Sequence, residues 1–225
     1  MKVVRPQAGY RKLFRQQLLA EKPSSVLDVG AGGGEMVRWL WSEAIEAVGL
    51  EADPGLAAPE SGIQCGRAEL MPFEDNAFDF VVSEFSLHHF DNAAAVLREA
   101  MRVARRGVMI LDMWYDTSRP DQCAAKALDE WFKHQDRCTG MVHANSYTAD
   151  QLHTLMADMD VRYRLQTMLT PVPLADEGWQ PEAEIYLERH AACCASDASL
   201  QALKQKIAAD GITDDGALVL TVGLD

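Results

Sequence analysis

Between Val26 and Met113 the chain sets down five short apolar runs: Val26–Val29, Ala47–Leu50, Ile63–Cys65, Phe78–Ser83 and Val108–Met113. The runs are continuous rather than alternating, so the strands they form are buried on both faces. Helix-forming stretches fill the gaps. Met36–Ile45 carries two tryptophans, and after Asp91, a candidate N-cap, the apolar residues Val96, Leu97, Ala100, Met101 and Ala104 share one face. Strand and helix in alternation at this spacing predict an α/β fold, a parallel sheet covered by helices on both faces.

The flanking regions are less regular. Residues 9–20 have a helical period through Leu13, Phe14 and Leu18, broken by Pro23-Ser24-Ser25. Thr148, with Gln151 three residues on, predicts a capping box opening a helix that buries Leu152, Leu155, Met156 and Met159. Residues 161–169 read as strand, 170–196 as irregular, 199–209 as helix and Ala217–Leu224 as a last strand. Trp114, Tyr115, Trp131, Phe132, His134, Met141, His143 and Tyr147 crowd the segment 114–147. No linker divides the chain, so residues 1–225 are expected to form one domain.

With 21 basic against 34 acidic side chains, the chain lacks the basic stripe that holds a polyanion, and nucleic acid is not an expected partner. No run approaches the roughly 18 apolar residues of a membrane span, and MKVVRPQAGYRKLF has no signal-peptide core. Five cysteines without a Cys-x-x-Cys pair read as reduced thiols in a cytoplasm, with Cys193 and Cys194 as small apolar fillers. His134, Cys138 and His143 match no standard metal spacing, and no metal is expected.

The strand Val26–Val29 runs into Gly30-Ala31-Gly32-Gly33-Gly34. Glycines there let the chain bend sharply and a ligand approach without meeting a Cβ, beyond the carboxyl ends of the strands where such sheets bind ligands. A dinucleotide fingerprint needs glycine at position 35, and the chain has Glu35. A carboxylate in the first helical turn competes with a pyrophosphate for the same amides and dipole. Asp28 adds negative charge, so a cationic ligand without phosphate, such as S-adenosylmethionine, suits this entrance better. Glu51, ending the second strand, can accept from both ribose hydroxyls.

With the stretch GRAELMPFEDNAFDFVVSEFSLHHF (66–90) added, residues 20–113 resemble the class I S-adenosylmethionine-dependent methyltransferases. The likeness is closest to the small-molecule branch that includes the ubiquinone and menaquinone methyltransferases. The resemblance implies a Rossmann-like, doubly wound, mostly parallel sheet of seven strands with the last antiparallel. It also implies a half for the cofactor (20–113) and substrate-covering insertions at 114–147 and 170–196. By the same likeness Asp28 holds the methionine end, with Gly30, Ala31 and Gly32 beneath it. Glu51 binds ribose, Ala52 lies beside adenine, and Ala68 and Glu69 flank the ring. Ser83, Glu84 and Phe85 pass near the sulfonium, and His88 and His89 follow at the rim. Tyr10 and Arg11 are candidates to close over the cofactor from the N-terminal helix.

Two positions depart from the family. Arg67 stands where an acid usually accepts from the adenine amino group, so Glu69 or a backbone carbonyl must serve. Arg105-Arg106-Gly107 replaces Pro-Gly-Gly and implies a shortened turn. The expected reaction is in-line methyl transfer to a small-molecule acceptor, leaving S-adenosylhomocysteine, with His88, His89, His143, Tyr115 and Tyr147 as candidate bases. Ser83-Glu84-Phe85-Ser86 stands in place of the (Asp/Asn)-Pro-Pro-(Tyr/Phe) motif of base methyltransferases. The alternatives are a non-catalytic S-adenosylmethionine-binding module and, against Glu35 and Asp28, an NAD(P)-dependent oxidoreductase.

Overall fold

The computed structural model describes residues 6–58, 61–174, 176–190 and 197–224; Cys193 and Cys194 lie outside them. In chain order the elements are α1 (Pro6–Ala20), β1 (Ser25–Val29), α2 (Glu35–Ser42), β2 (Glu46–Glu51), β3 (Ile63–Cys65), β4 (Phe78–Glu84), α3 (Ala93–Val103), β5 (Ala104–Trp114), α4 (Pro120–Cys138), α5 (Ala149–Met159), β6 (Tyr163–Met168), α6 (Asp176–His190), α7 (Asp197–Asp210) and β7 (Gly216–Gly223). The seven strands make one sheet in the order β3-β2-β1-β4-β5-β7-β6. β1 to β5 run parallel, and β7 lies antiparallel between β5 and β6. This is the doubly wound Rossmann-like arrangement expected from the sequence.

Strand side chains alternate between two cores. Val26, Phe80, Val82, Met109, Leu111 and Val219 face α1 and α2, where Tyr10, Phe14, Leu18, Val37 and Leu40 meet them. Leu27, Val29, Val81, Val108, Ile110 and Leu220 face α3 and α5. The capping box at α5 is complete: the Gln151 amide donates to Thr148 Oγ1 at 3.2 Å and the Thr148 amide to Gln151 Oε1 at 2.9 Å.

Several expectations change. Asn92 caps α3, accepting from the Ala95 amide, which leaves Asp91 free for Arg67. No turn separates α3 from β5; Arg105 and Arg106 already belong to the strand, and Arg105 holds Asp79 at 2.6 Å. A Cβ at Gly107 would sit 2.7 Å from the Val222 carbonyl oxygen, so the strand needs glycine there. Segment 170–196, expected to be irregular, contains α6, and segment 114–147 contains α4. With α7 these helices build a third apolar cluster around Tyr115, Leu128, Trp131, Trp179, Leu203 and Ile212. Cys138 is disulfide-bonded, against the expectation of reduced thiols throughout, whereas Cys65 and Cys123 are free. Among the described residues, no helix is long and apolar enough to cross a membrane.

Candidate functional site

The strand order reverses between β1 and β4, and the carboxyl ends of β1, β2 and β4 open a crevice there. Its floor is the turn after β1. Gly30 has φ +75°, and both its amide and that of Ala31 donate to the Leu50 carbonyl, at 2.9 and 3.1 Å. The Ser86 hydroxyl donates to the Gly30 carbonyl at 3.0 Å. Gly34, also at positive φ, leads into α2, whose first residue is Glu35.

Two cavities share Gly30 and Gly32. The larger, about 550 Å³, is lined by Glu51, Ala52, Ala68, Glu69, Phe85 and His89 among others. The smaller, about 380 Å³, is lined by Asp28, Ala31, Arg11, Glu35 and Glu84 among others. Glu51 is held ready by backbone donors, Gly32 N–H to Oε2 at 2.8 Å and Asp53 N–H to Oε1 at 2.9 Å.

Asp28 is 2% exposed, and no described residue donates a hydrogen bond to its carboxylate. A buried carboxylate without partners is expensive. Burial pushes its pKa up to about 8; Glu84 and Glu51 push the same way, and the Arg15 cation opposes them. Replacing Arg15 with alanine is therefore expected to move the Asp28 titration upward by roughly 1 pH unit. Carboxyl-carbon NMR of the aspartates reads this, and an unmoved midpoint would refute the coupling.

Glu84 neither faces solvent nor stands free. Arg15 grips it through two hydrogen bonds, Nε to Oε1 at 3.2 Å and Nη2 to Oε2 at 2.8 Å, with Arg11 at 3.8 Å. Arg15 and Arg11 also reach Glu35, at 3.1 and 3.5 Å. The N-terminal helix is thus pinned across the crevice by two acids. Arg11 lies over the Phe85 ring, 5.2 Å from its centroid, and Phe85 carries φ +56°, a strained backbone for a bulky side chain.

Arg67 does not fold inward. It is 65% exposed and turned to the rim by Glu69 and Asp91, each at 3.2 Å. Ser83 lines neither cavity, and its hydroxyl is buried without a partner. Tyr10 is core, its hydroxyl accepting from the Thr170 amide at 2.7 Å. Sequence reasoning gave no role to Ser86, Leu56, Phe90, Met141 or Val142, which complete the larger cavity. The serine is findable only through its contact with Gly30, which is long-range in sequence.

A third cavity of about 310 Å³ lies beyond β5, lined by Tyr115, Asp129, Lys133, His143 and Asp215 among others. Lys133 is buried against Asp129 at 2.9 Å and donates to Ser146 at 2.6 Å. Burial and then Asp129 raise Tyr115 well above the usual phenol range. The three candidate histidines separate this cavity from the larger one. His88 is buried, its Nδ1 2.7 Å from Asp112; His89 lines the larger cavity and His143 the third. Burial, with smaller contributions from the neighbouring histidines, lowers His89 and takes His143 down to about 4 despite its bond to Asp136. Both rings are therefore neutral near pH 7. Tyr147 instead packs against the core facing α3 and α5.

Residues 27–111 match the family described as "Methyltransferase domain". The chain is 26% identical over 151 residues to the uncharacterized methyltransferase YcgJ of Bacillus subtilis, covering 62% of this chain and 57% of the relative. It is 29% identical to a demethylmenaquinone methyltransferase of Shouchella clausii, covering 62% and 65%. The chain thus spans less than two thirds of these curated relatives. The fold resembles the crystal structure of YcgJ from Bacillus subtilis at TM-score 0.59 and 18% identity, covering 89% of this chain and 91% of that one. It also resembles a cyclopropane-fatty-acyl-phospholipid synthase-like protein from Lactobacillus casei at TM-score 0.68 and 17% identity, covering 97% and 90%.

Proposed function

We propose that the chain, whose residues 27–111 match a methyltransferase domain, is a class I S-adenosylmethionine-dependent methyltransferase that transfers a methyl group from S-adenosylmethionine to a small molecule. The observation that carries this is Asp28: a buried carboxylate that no described residue supplies with a hydrogen bond, beside a side-chain-poor turn and the preset acid Glu51. These residues fit the cofactor. A cationic amino-acid end satisfies Asp28, and Glu51 keeps acceptor capacity for ribose hydroxyls. Ala52, Ala68 and Glu69 take the adenine, with Arg67 held at the rim. Glu84 and Phe85 close the crevice on the α1 side, and Gly30, Ala31 and Gly32 leave room beneath. Ser83 receives no cofactor role.

When bound, S-adenosylmethionine supplies an activated methyl on a sulfonium. The chain's contribution is to hold the acceptor in line, which alone accounts for much of such a rate. The acceptor enters the cavity beyond β5, roofed by parts of segments 114–147 and 170–196 within one methyltransferase unit. Where the acceptor must lose a proton, His89 and His143 stand between the cavities as neutral rings able to accept it, with His88 behind them against Asp112. Arg67, held at the rim by Glu69 and Asp91, leaves room for the adenine, and a backbone carbonyl or Glu69 then accepts from its amino group.

Calorimetry is expected to show S-adenosylhomocysteine binding with no heat from NADH. S-adenosylhomocysteine release from S-adenosylmethionine is expected with at least one member of a panel of phenols, quinols, amines and thiols. Tight NADH binding without S-adenosylhomocysteine binding would overturn the reading.

A further inference from the structure

Between the larger crevice cavity and the cavity beyond β5 stand three histidines, the adjacent pair His88 and His89 and, 55 residues after His88, His143. The Ala144 amide donates to the His88 carbonyl at 2.7 Å, and the Val142 carbonyl lies 3.2 Å from His89 Nδ1. These two bonds lay the segment around His143 across the Leu87–His89 turn. The rings then stack: His89 and His143 centroids are 4.3 Å apart, His88 and His89 4.4 Å, and His88 and His143 5.2 Å.

Each ring already uses the same nitrogen. Nδ1 of His88 meets Asp112 at 2.7 Å, Nδ1 of His143 meets Asp136 at 2.8 Å, and Nδ1 of His89 meets the Val142 carbonyl. An oxygen acceptor at Nδ1 fixes the tautomer and leaves Nε2 with its lone pair free. One ring nitrogen of each residue, Nδ1 or Nε2, lies within 4.8 Å of those of the other two. The Nε2 of His143 is buried without a hydrogen-bond partner, and a buried acceptor left orphaned calls for an explanation. Three imidazoles gathered at one spot, their Nδ1 atoms held by two carboxylates and a carbonyl, have the outer partners of a metal-binding histidine set.

We propose that His88, His89 and His143 form a binding site for a divalent transition-metal ion, zinc above all, between the crevice and the cavity beyond β5. Three nitrogen donors suit zinc and leave the fourth position open. Zn–N bonds of about 2.0–2.1 Å draw the nitrogens closer than they now stand, a change within reach of rotation about the broad terminal torsion of histidine. Asp112 and Asp136 place negative charge behind the ligands. Lys133, a cation that acts on His89 and His143, is bound to Asp129. Since His143 lines the cavity beyond β5, the open position is available to an oxygen or sulfur of a molecule held there. The site stands on the histidine geometry and does not require the methyltransferase reading; in the metal-loaded protein the rings act as ligands, and the proton-accepting role given to His89 and His143 above belongs to the metal-free chain.

The test uses the full chain, stripped with a chelator and dialysed against zinc chloride, with cobalt(II) as a spectroscopic probe. The expected result is saturable binding of one ion per chain, cobalt absorption bands of nitrogen coordination, and a higher melting temperature with zinc. His89→Ala and His143→Gln should each weaken binding by more than about tenfold. Asp136→Asn should weaken it roughly 10- to 100-fold while leaving all three ligands in place. His134→Ala and His153→Ala should leave it unchanged. Circular dichroism of each variant identifies loss of fold, and Asp136→Asn keeps the test decisive where a histidine variant does not fold. Absence of saturable binding overturns the proposal, as does binding indifferent to His89 and His143 or abolished by His134→Ala. Calorimetry of the metal-free wild-type chain with S-adenosylhomocysteine reports on the cofactor separately.

Discussion

Asp28→Asn is expected to weaken S-adenosylhomocysteine binding roughly ten- to a hundredfold while raising the melting temperature of the cofactor-free protein. The two effects have one origin. A hydrogen bond to a charged partner contributes about 1.5–3 kcal/mol, and the asparagine offers no charge to the ligand's ammonium. In the free protein the same carboxylate is a burden, because burial and the acids Glu84 and Glu51 outweigh Arg15 and push its pKa from 3.8 up to about 8. The folded state therefore binds this proton more tightly than the unfolded chain. Its contribution to stability is fully present below pH 3.8 and is lost as pH rises towards 8. Above pH 8 no further loss follows. In the variant that slope disappears, and at pH 8 the gain is on the order of 1–3 kcal/mol after the cost of an unpartnered amide. Melting temperatures from pH 5 to 8 without ligand, with calorimetry in buffers of different ionisation enthalpy, measure both. Below pH 8 the wild type should release up to one proton on binding and the variant none. A variant less stable than wild type at pH 8 would mean that Asp28 has a partner in the free protein.

The residues that carry this argument were readable because they follow local rules. Asp28 stands next to last and Glu51 last in their strands, and the glycines begin two residues after Asp28, so the sequence places both acids at the carboxyl edge of the sheet. The capping box at Thr148 is equally local. What escaped the sequence depends on distant partners. Glu84 is defined by Arg15 on α1, 69 residues away, and Arg67 by the choice of Asn92 over Asp91 as the cap of α3. α6 buries Trp179 and Ala183 and has Pro181 inside it, so its apolar face is narrow and its proline argues for a break. α4 buries Gln122, Lys133 and Gln135 beside its apolar residues, which blurs the period a reader looks for. The joining of His143 to His88 and His89 rests on two backbone hydrogen-bond contacts that no spacing announces.

Gly30→Ala should be the most damaging single methyl in the crevice. A Cβ at position 30 would lie 2.6 Å from Ser86 Cβ and 2.8 Å from Ser86 Oγ. The serine cannot retreat without giving up its hydrogen bond to the Gly30 carbonyl, and the turn cannot rotate without breaking the two amide bonds to Leu50. The left-handed backbone, φ +75°, adds about 1–2 kcal/mol for alanine, and the overpacking about 1–3 kcal/mol. At 2–4 °C per kcal/mol for a chain of this size, the melting temperature should fall by roughly 5–15 °C, with S-adenosylhomocysteine binding lost. Adding Ser86→Gly removes the collision but not the backbone strain, so the double variant should recover only part of the melting temperature. Gly32→Ala, at φ +50° with nothing within 4 Å, should show the strain alone. Gly33→Ala, with neither obstacle, should be close to wild type. A series in which positions 30 and 33 behave alike would show that the close approach of Ser86 to the turn does not hold in solution, and the crevice floor would need another account.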